Sequence, residues 1–124
     1  MKLNLTHTST LIVEHCHTAL ALGSGDLEVV ATPAMVALME NAALKAVENH
    51  LPEGSTTVGS QIETTHLRPS PVGATLSATA TLTAIEGRKL TFHIEAADEK
   101  GIVGQGTHTR FIVDRQKFLA KLSQ

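Results

Sequence analysis

The stretch that decides the fold is Ala31–Asn49, ATPAMVALMENAALKAVEN. Thr32 can cap a first helical turn, and Pro33 has the φ angle that the start of a helix requires. Apolar residues continue to Met39, without the polar face that a surface helix shows. The stretch therefore predicts a central helix that begins at Thr32 as its N-cap, ends near Asn49–His50 and is buried nearly all round.

Glu40 interrupts this apolar run with a carboxylate. A carboxylate on a mostly buried surface costs free energy unless it has a partner or a function. An ion pair with Lys45, or with an arginine across an interface, would be the structural explanation. Lys45 stands at i+5, which is poorly aligned for such a pair. Glu40 is therefore a candidate general base.

The remaining segments predict a sheet around that helix, because they alternate between apolar and polar residues and are joined mostly by tight turns. One helix on the concave side of a curved antiparallel sheet is an α+β architecture. In the first strand after the helix, one set of alternate positions contains the aliphatic residues and should face inward. Its members are Val58, Ser60, Ile62, Thr64 and His66. The predicted strands are Leu5–Val13, Thr56–Leu67, Ala74–Ile85, Lys89–Ala97 and Ile102–Val113, and a short helix capped by Asp114 runs to Leu122.

Size and composition fit one domain over residues 1–124 and argue against several function classes. A net charge of −2, with both signs scattered, does not suit binding to nucleic acid or anionic lipid. There is no Trp or Tyr and only three Phe, which disfavours base stacking. The low aromatic content and the apolar helix suggest that a second copy completes the core, so we expect a homodimer.

Cysteine usage and the N-terminus suggest a cytoplasmic protein. Cys16 is the only cysteine, which excludes an internal disulfide and fits a reducing compartment. The first ten residues lack the apolar core of a signal peptide, and no membrane attachment is expected. His15 and His17 flank Cys16, but without a second ligand cluster the sequence predicts no metal site. Whether residues 14–30 form a turn, a short helix or a lid over the site is left open.

Several motifs at fixed spacing resemble the fluoroacetyl-CoA-type thioesterase family of the hotdog superfamily. Ala-Thr-Pro opens the helix, and Glu40 follows Thr32 by eight residues. Gly59 stands in Val-Gly-Ser, and His66 in Thr-Thr-His-Leu. Near the end comes Gly-Gln-Gly-Thr-His-Thr-Arg-Phe-Ile-Val, which contains Arg110. The likeness extends over about residues 6–118 and implies the hotdog fold, a curved sheet wrapped around one helix.

The resemblance implies a catalytic set of Thr32, Glu40 and His66, with Gly59 and Arg110 at substrate-contacting positions. It implies coenzyme A as part of the substrate and no separate cofactor. Members that favour fluoroacetyl groups carry phenylalanines in a lid before the helix, whereas the first Phe here is Phe92. The resemblance therefore supports thioester hydrolysis without fluoroacetyl selectivity.

Each of these residues also has an ordinary structural role. Thr32 could serve only as an N-cap, His66 could be a satisfied core histidine, and Arg110 could be an ion-pair partner at a surface or interface. Gly59 by itself signals only close backbone approach. His108 shares the parity of Arg110 and could lie near the site.

Helix geometry then predicts how the candidates assemble. Eight residues of helix rise about 12 Å, so Thr32 and Glu40 of one helix cannot easily reach the same atom. If both act together, a symmetry-related chain should supply one of them, which gives two equal sites per dimer.

The first functional hypothesis is an acyl-CoA thioesterase that hydrolyses a small acyl thioester at the dimer interface. The alternative is a non-catalytic module of the same fold that binds acyl-CoA or an acyl carrier, since fold does not fix function. A hydratase acting on enoyl-CoA ranks lower, because it would need its own Asp/His pair at the helix and only Asp26 precedes Asp98.

Overall fold

The computed structural model describes all 124 residues. Five strands and three helices account for most of the chain, in the order that the sequence predicts. The strands are β1 (Thr6–Ile12), β2 (Ser55–His66), β3 (Thr75–Glu86), β4 (Lys89–Asp98) and β5 (Gly101–Asp114), and the helices are α1 (Ala19–Leu22), α2 (Thr32–Val47) and α3 (Arg115–Ala120).

The five strands form one antiparallel sheet in the order β1-β3-β4-β5-β2. Tight turns join β3 to β4 and β4 to β5, so these three strands are neighbours. β1 and β2 lie at the two edges, and α2 crosses the concave face between them. This arrangement confirms the predicted α+β class.

α2 is buried on one side only, which differs from the predicted all-round burial. Met35 and Met39 have no solvent exposure and lie against the sheet. Pro33 and Ala37 are exposed on the opposite side. The reason is that five strands from one chain cover a single face of the helix, and the apolar residues of the other face remain half-exposed. The buried residues of the helix are Met35, Met39, Ala42, Ala43, Ala46 and Val47.

A bulge in β2 changes which residues face the helix. The pairing with β5 shifts between Gly59 and Gln61, which leaves Ser60 as the extra residue. Before the bulge Thr57 is buried, and after it Ile62 and His66 are half-buried. The prediction that Val58 and Ser60 face inward is therefore wrong, because one inserted residue reverses the alternation.

β4 follows the predicted alternation, and β3 follows it as far as Leu82. The pairing of the two strands shifts between Leu82 and Ala84, and Ala84, predicted to face inward, pairs with Thr91 and is only half-buried. Leu76, Leu82, Leu90 and Phe92 are all fully buried, and His93 faces outward and is exposed. Close approach matters most at Gly106 of β5, because a Cβ there would collide with the backbone carbonyl of Glu63 in β2. β2 and β5 can thus approach each other this closely only because residue 106 is a glycine.

The segment from residue 14 to 30 forms a 3-10 turn, His15–His17, followed by the short helix α1. Cys16 is exposed in that turn. The Ala31 N–H donates to the His17 carbonyl at 2.8 Å, which ties the turn to the start of α2. None of the helices has the length and hydropathy that crossing a bilayer requires.

Candidate active site

The first part of the site is a hydrogen bond between α2 and the end of β2. Thr32 is the first residue of α2, and the N-cap is Ala31, so the predicted capping role of Thr32 is wrong. The Thr32 hydroxyl instead makes a 2.8 Å hydrogen bond with Nδ1 of His66. A helix start and a strand end thus bring a hydroxyl and an imidazole together.

The surroundings of His66 keep its ring neutral at pH 7. Burial lowers the pKa of His66 from its usual 6.5, and the backbone of Arg68 opposes that effect only in part. Nε2 of the ring is buried and has no hydrogen-bond partner. Nδ1, the atom that contacts Thr32, is therefore the ring nitrogen of His66 that has a side-chain hydrogen-bond partner.

A cavity of about 350 Å³ opens beside this pair. It lies where α1, the start of α2 and the loop after β2 meet. The Thr32 N–H has no partner within the chain, whereas those of Ala34 and Met35 both donate to the Ala31 carbonyl. A free N–H at the positive end of a helix dipole can stabilise an oxygen that gains negative charge. The cavity is lined by Ala19, Ser24, Val29, Val30, Thr32, His66, Leu67, Arg68 and Pro69.

Hydrogen bonds from Arg68 and Ser70 hold in place the loop that forms one wall of this cavity. Arg68 donates to Asp98 at 2.8 Å and to the Gly101 carbonyl at 3.1 Å. Ser70 donates to the other carboxylate oxygen of Asp98 at 2.8 Å. Burial alone would raise the pKa of Asp98, but hydrogen bonds from Ser70, the Lys100 N–H and Arg68, with the charge of Arg68, lower it to about 2.

The second part of the site is an ion pair between Glu40 and Arg110. Oε2 of Glu40 lies 3.7 Å from Nη1 of Arg110, and their side chains are 41% and 8% exposed, respectively. Burial lowers the pKa of Arg110, and the charge of Glu40 opposes that effect. Glu40 is thus less buried than the sequence suggests, and it has a cationic partner.

Gly59 lies directly over this ion pair. A Cβ at Gly59 would stand 3.0 Å from Oε2 of Glu40, 3.1 Å from Cε1 of His108 and 3.3 Å from Nη1 of Arg110. These distances are shorter than ordinary van der Waals contact. A side chain at this position would therefore displace the carboxylate.

The structure sorts the five predicted site residues into two clusters. One contains Thr32 and His66, and the other contains Glu40, Gly59 and Arg110. Glu40 and His66 of the same chain therefore lie in different clusters. The catalytic and substrate-contacting roles assigned to these residues remain predictions.

Sequence reasoning missed Thr57, which accepts two hydrogen bonds from Arg110. The strict alternation of β2 placed Thr57 on the outer face, and only the bulge brings it inward. His108 was expected from its parity with Arg110, and it lies 3.2 Å from that guanidinium.

Comparison with known proteins identifies the family. Residues 13–116 match the family model described as FlK, fluoroacetyl-CoA-specific thioesterase. The chain belongs to this thioesterase family. Family membership makes it a thioester hydrolase, as predicted. The fluoroacetyl-CoA thioesterase of Streptantibioticus cattleyicolor is 40% identical over 97 residues, which are 78% of this chain and 70% of that protein.

Solved thioesterase structures confirm the hotdog fold. A threonine-to-serine variant of FlK in complex with acetyl-CoA is 33% identical and superposes with a TM-score of 0.94, covering 100% of this chain and 98% of the other. A hot-dog-like protein from Thermanaerovibrio acidaminovorans is 23% identical, with a TM-score of 0.88 over 97% of this chain and 89% of the other. The second likeness concerns the fold alone.

Proposed function

We propose that this thioesterase hydrolyses a small acyl-CoA, with Thr32, His66 and Glu40 as its catalytic residues. The observation that carries the proposal is the 2.8 Å hydrogen bond between the Thr32 hydroxyl and Nδ1 of His66 beside a cavity. A hydroxyl in contact with a neutral imidazole is the arrangement of a nucleophile and its base. The family relationship gives this pair its substrate class.

The first step would take place at the Thr32–His66 pair. His66, neutral at pH 7, accepts a proton at Nδ1 from Thr32 Oγ1 or from a water molecule that Thr32 positions. The attacked thioester carbonyl gains negative charge, and the free Thr32 N–H at the helix start stabilises it. His66 then returns the proton to the departing coenzyme A thiolate.

Glu40 joins this pair through a second copy of the chain. Within one chain Glu40 lies in the other cluster, about 12 Å of helix away from Thr32. An isologous homodimer would bring Glu40 of one copy to the Thr32–His66 pair of the other and create two equal sites. The carboxylate would then activate water for hydrolysis.

Two unpartnered surfaces support a homodimer. The outer edge of β2 has no neighbouring strand, and an unpaired edge is a template for another chain. The half-exposed face of α2 borders an apolar groove of about 270 Å³. The groove is lined by Leu11, His17, Ala34, Ala37, Leu38 and Asn41.

The acyl group should be small. FlK structures are known with acetyl-CoA and with fluoroacetate and CoA. The cavity near Thr32 is lined by Ala19 and Ser24 from the α1 segment and contains no aromatic ring other than that of His66. We therefore propose short acyl groups without fluoroacetyl selectivity. Gly59 and Arg110 would contact the substrate, and coenzyme A would enter only as part of it.

A hydrolysis screen over acyl-CoA chain length, with detection of the free thiol, tests the proposal. Thr32→Val and Glu40→Gln should each lower kcat by at least about a hundredfold, while Glu53→Gln, an exposed loop control, leaves it unchanged. Intact-mass spectrometry during turnover separates attack by Thr32, which gives an acyl-enzyme, from attack by water. Binding of acyl-CoA in calorimetry without release of thiol would contradict the proposal and favour the alternative, a non-catalytic module that binds acyl-CoA.

A further inference from the structure

Arg110 makes more contacts than an ion pair with Glu40 requires. Its Nε donates to Oγ1 of Thr57 at 2.8 Å, and its Nη2 donates to the carbonyl of Thr57 at 2.9 Å. Its Nη1 lies 3.2 Å from Nε2 of His108. All three nitrogens are therefore engaged, which fixes both the position and the plane of the guanidinium.

The hydrogen bonds of His108 determine its tautomer. Nδ1 of His108 lies 2.7 Å from the carbonyl oxygen of Gln61, and a carbonyl can only accept, so Nδ1 carries a proton. Nη1 of Arg110 can only donate, so Nε2 of His108 is unprotonated and accepts. Burial, with the charge of Arg110, lowers the pKa of His108 and keeps the ring neutral, and the Gln61 carbonyl and the charge of Glu40 oppose that effect only in part.

The bulge at Ser60 positions the two groups that hold Arg110 and His108, which are Thr57 and the carbonyl of Gln61. Thr57 precedes it and faces inward, and the Gln61 carbonyl just after it reaches His108. Without the extra residue, Thr57 and His66 could not both face the helix side of the sheet. The bulge thus places the supports of Arg110 and the imidazole of the first cluster in one strand.

The distance between Arg110 and Glu40 explains what this support achieves. At 3.7 Å the contact between Nη1 and Oε2 is an ion pair that is too long for a hydrogen bond. Glu40 therefore receives the electrostatic effect of a cation, while no side chain of the same chain hydrogen-bonds to its carboxylate oxygens. An unrestrained arginine could form a bidentate pair with two charge-assisted hydrogen bonds, which would make the carboxylate a weaker base.

We propose that His108 and Thr57 are positioning residues that hold Arg110 beside Glu40 without letting it hydrogen-bond to the carboxylate. The inference rests on the proposed role of Glu40 as the base that activates water. Arg110 and His108, both from β5, are the ionisable side chains that face Glu40. Together they keep the carboxylate oriented and available.

Paired substitutions test the proposal through kcat and KM. Thr57→Val removes only the hydroxyl acceptor, and His108→Leu removes the ring acceptor. Each should lower kcat by about tenfold to a hundredfold, with KM changed less than about threefold. Thr57→Ser and His108→Gln return an acceptor to nearly the same place and should recover most of kcat. Thr91→Val is the matched control, because the Thr91 side chain makes no hydrogen bond.

Two results would overturn the proposal. One is a wild-type kcat in both Thr57→Val and His108→Leu. The other is a kcat in Thr57→Ser and His108→Gln that is as low as in those two variants. Nitrogen NMR of the wild-type protein tests the same contacts without any activity measurement. His108 should show a bare Nε2 and a protonated Nδ1 at pH 7, and a charged ring or the other tautomer overturns the proposal. Should His108→Leu not fold, the near-isosteric Thr57→Val and the NMR spectrum decide.

Glu40→Gln, assayed beside these variants, separates the two proposals. Normal turnover in Glu40→Gln would reject the proposed function of Glu40 and, with it, this inference. A large loss in Glu40→Gln alongside normal kcat in Thr57→Val and His108→Leu would reject this inference alone.

Discussion

At the scale of single residues, His66 sets the pH dependence. Burial lowers its pKa below 6.5, so the ring stays unprotonated to lower pH than an exposed imidazole. If His66 is the base, the acid limb of kcat/KM should have its midpoint below pH 6.5. Measurement of kcat/KM between pH 4.5 and pH 8 (about the range where imidazole titrates) checks this.

The stability of the folded state supplies an independent control for that profile. A histidine whose pKa is lowered by folding binds more protons when unfolded, so the free energy of unfolding should decrease as pH falls through 6.5. Unfolding in urea at each pH must show the fold intact where the rate declines. An acid limb of kcat/KM at or above 6.5 would contradict the assignment of His66.

Asp98 is a second residue with a defined pH dependence. Its pKa is lowered to about 2, so its stabilising effect is present above the unfolded value near 3.8 and is lost as pH falls toward 2. Asp98→Asn should destabilise the protein at pH 7 by about 1–2 kcal/mol, because a neutral amide meets donors arranged for a carboxylate. Denaturant unfolding at pH 7 and in the acid range measures both effects. If Asp98→Asn has the same free energy of unfolding as the wild type at pH 7, the hydrogen bonds to Asp98 add no stability.

At the scale of secondary-structure elements, the β2 bulge carries the most consequence. Deletion of Ser60 would restore strict alternation and turn either Thr57 or His66 to the outer face. We expect the deletion variant to lose turnover and to unfold at a lower temperature. Ser60→Ala should stay close to wild type, because the exposed Ser60 side chain makes only one hydrogen bond, at 3.4 Å. Circular dichroism melts and thiol release measure both, and an active deletion variant would contradict this account.

The elements that could be predicted correctly are those whose orientation follows from the local alternation of apolar and polar residues alone. The alternation of β3 and β4 correctly placed Leu76, Leu90 and Phe92 in the core. Gly59 stands directly before the inserted residue, and a glycine within a strand can mark a bulge. Strict alternation was nevertheless continued through it, so the faces of Thr57 and Ser60 were predicted wrongly. At the start of α2, the hydroxyl expected to cap the helix bonds to His66, 34 residues away, and local capping rules cannot anticipate that contact.

At the scale of the whole molecule, a mixing experiment tests the shared site. Thr32→Ala and Glu40→Gln should each be inactive alone. If one copy supplies Thr32 and the other Glu40, refolding the two variants together should restore about a quarter of wild-type activity, because half of the dimers are mixed and each has one intact site. No recovery, with mixed dimers verified by mass spectrometry, would place both residues in one copy or reject one of them.

The whole-molecule level is also where sequence reasoning reached its limit. The spacing of Thr32 and Glu40 correctly indicated that one helix cannot bring them to a single atom. The apolar residues of α2 predicted burial on all sides, but the sheet of one chain covers only the face that carries Met35 and Met39. What covers the other face depends on a second molecule, which no pattern within one chain can specify.

The exposed 3-10 turn before α1 has a practical consequence. Cys16 is the only thiol of the chain, and it lies three residues before Ala19 in the cavity wall. A maleimide dye would therefore attach at one defined point without any engineered cysteine. The dye would then report, through its fluorescence, whether ligand binding changes the surroundings of the cavity rim, in the unmodified sequence.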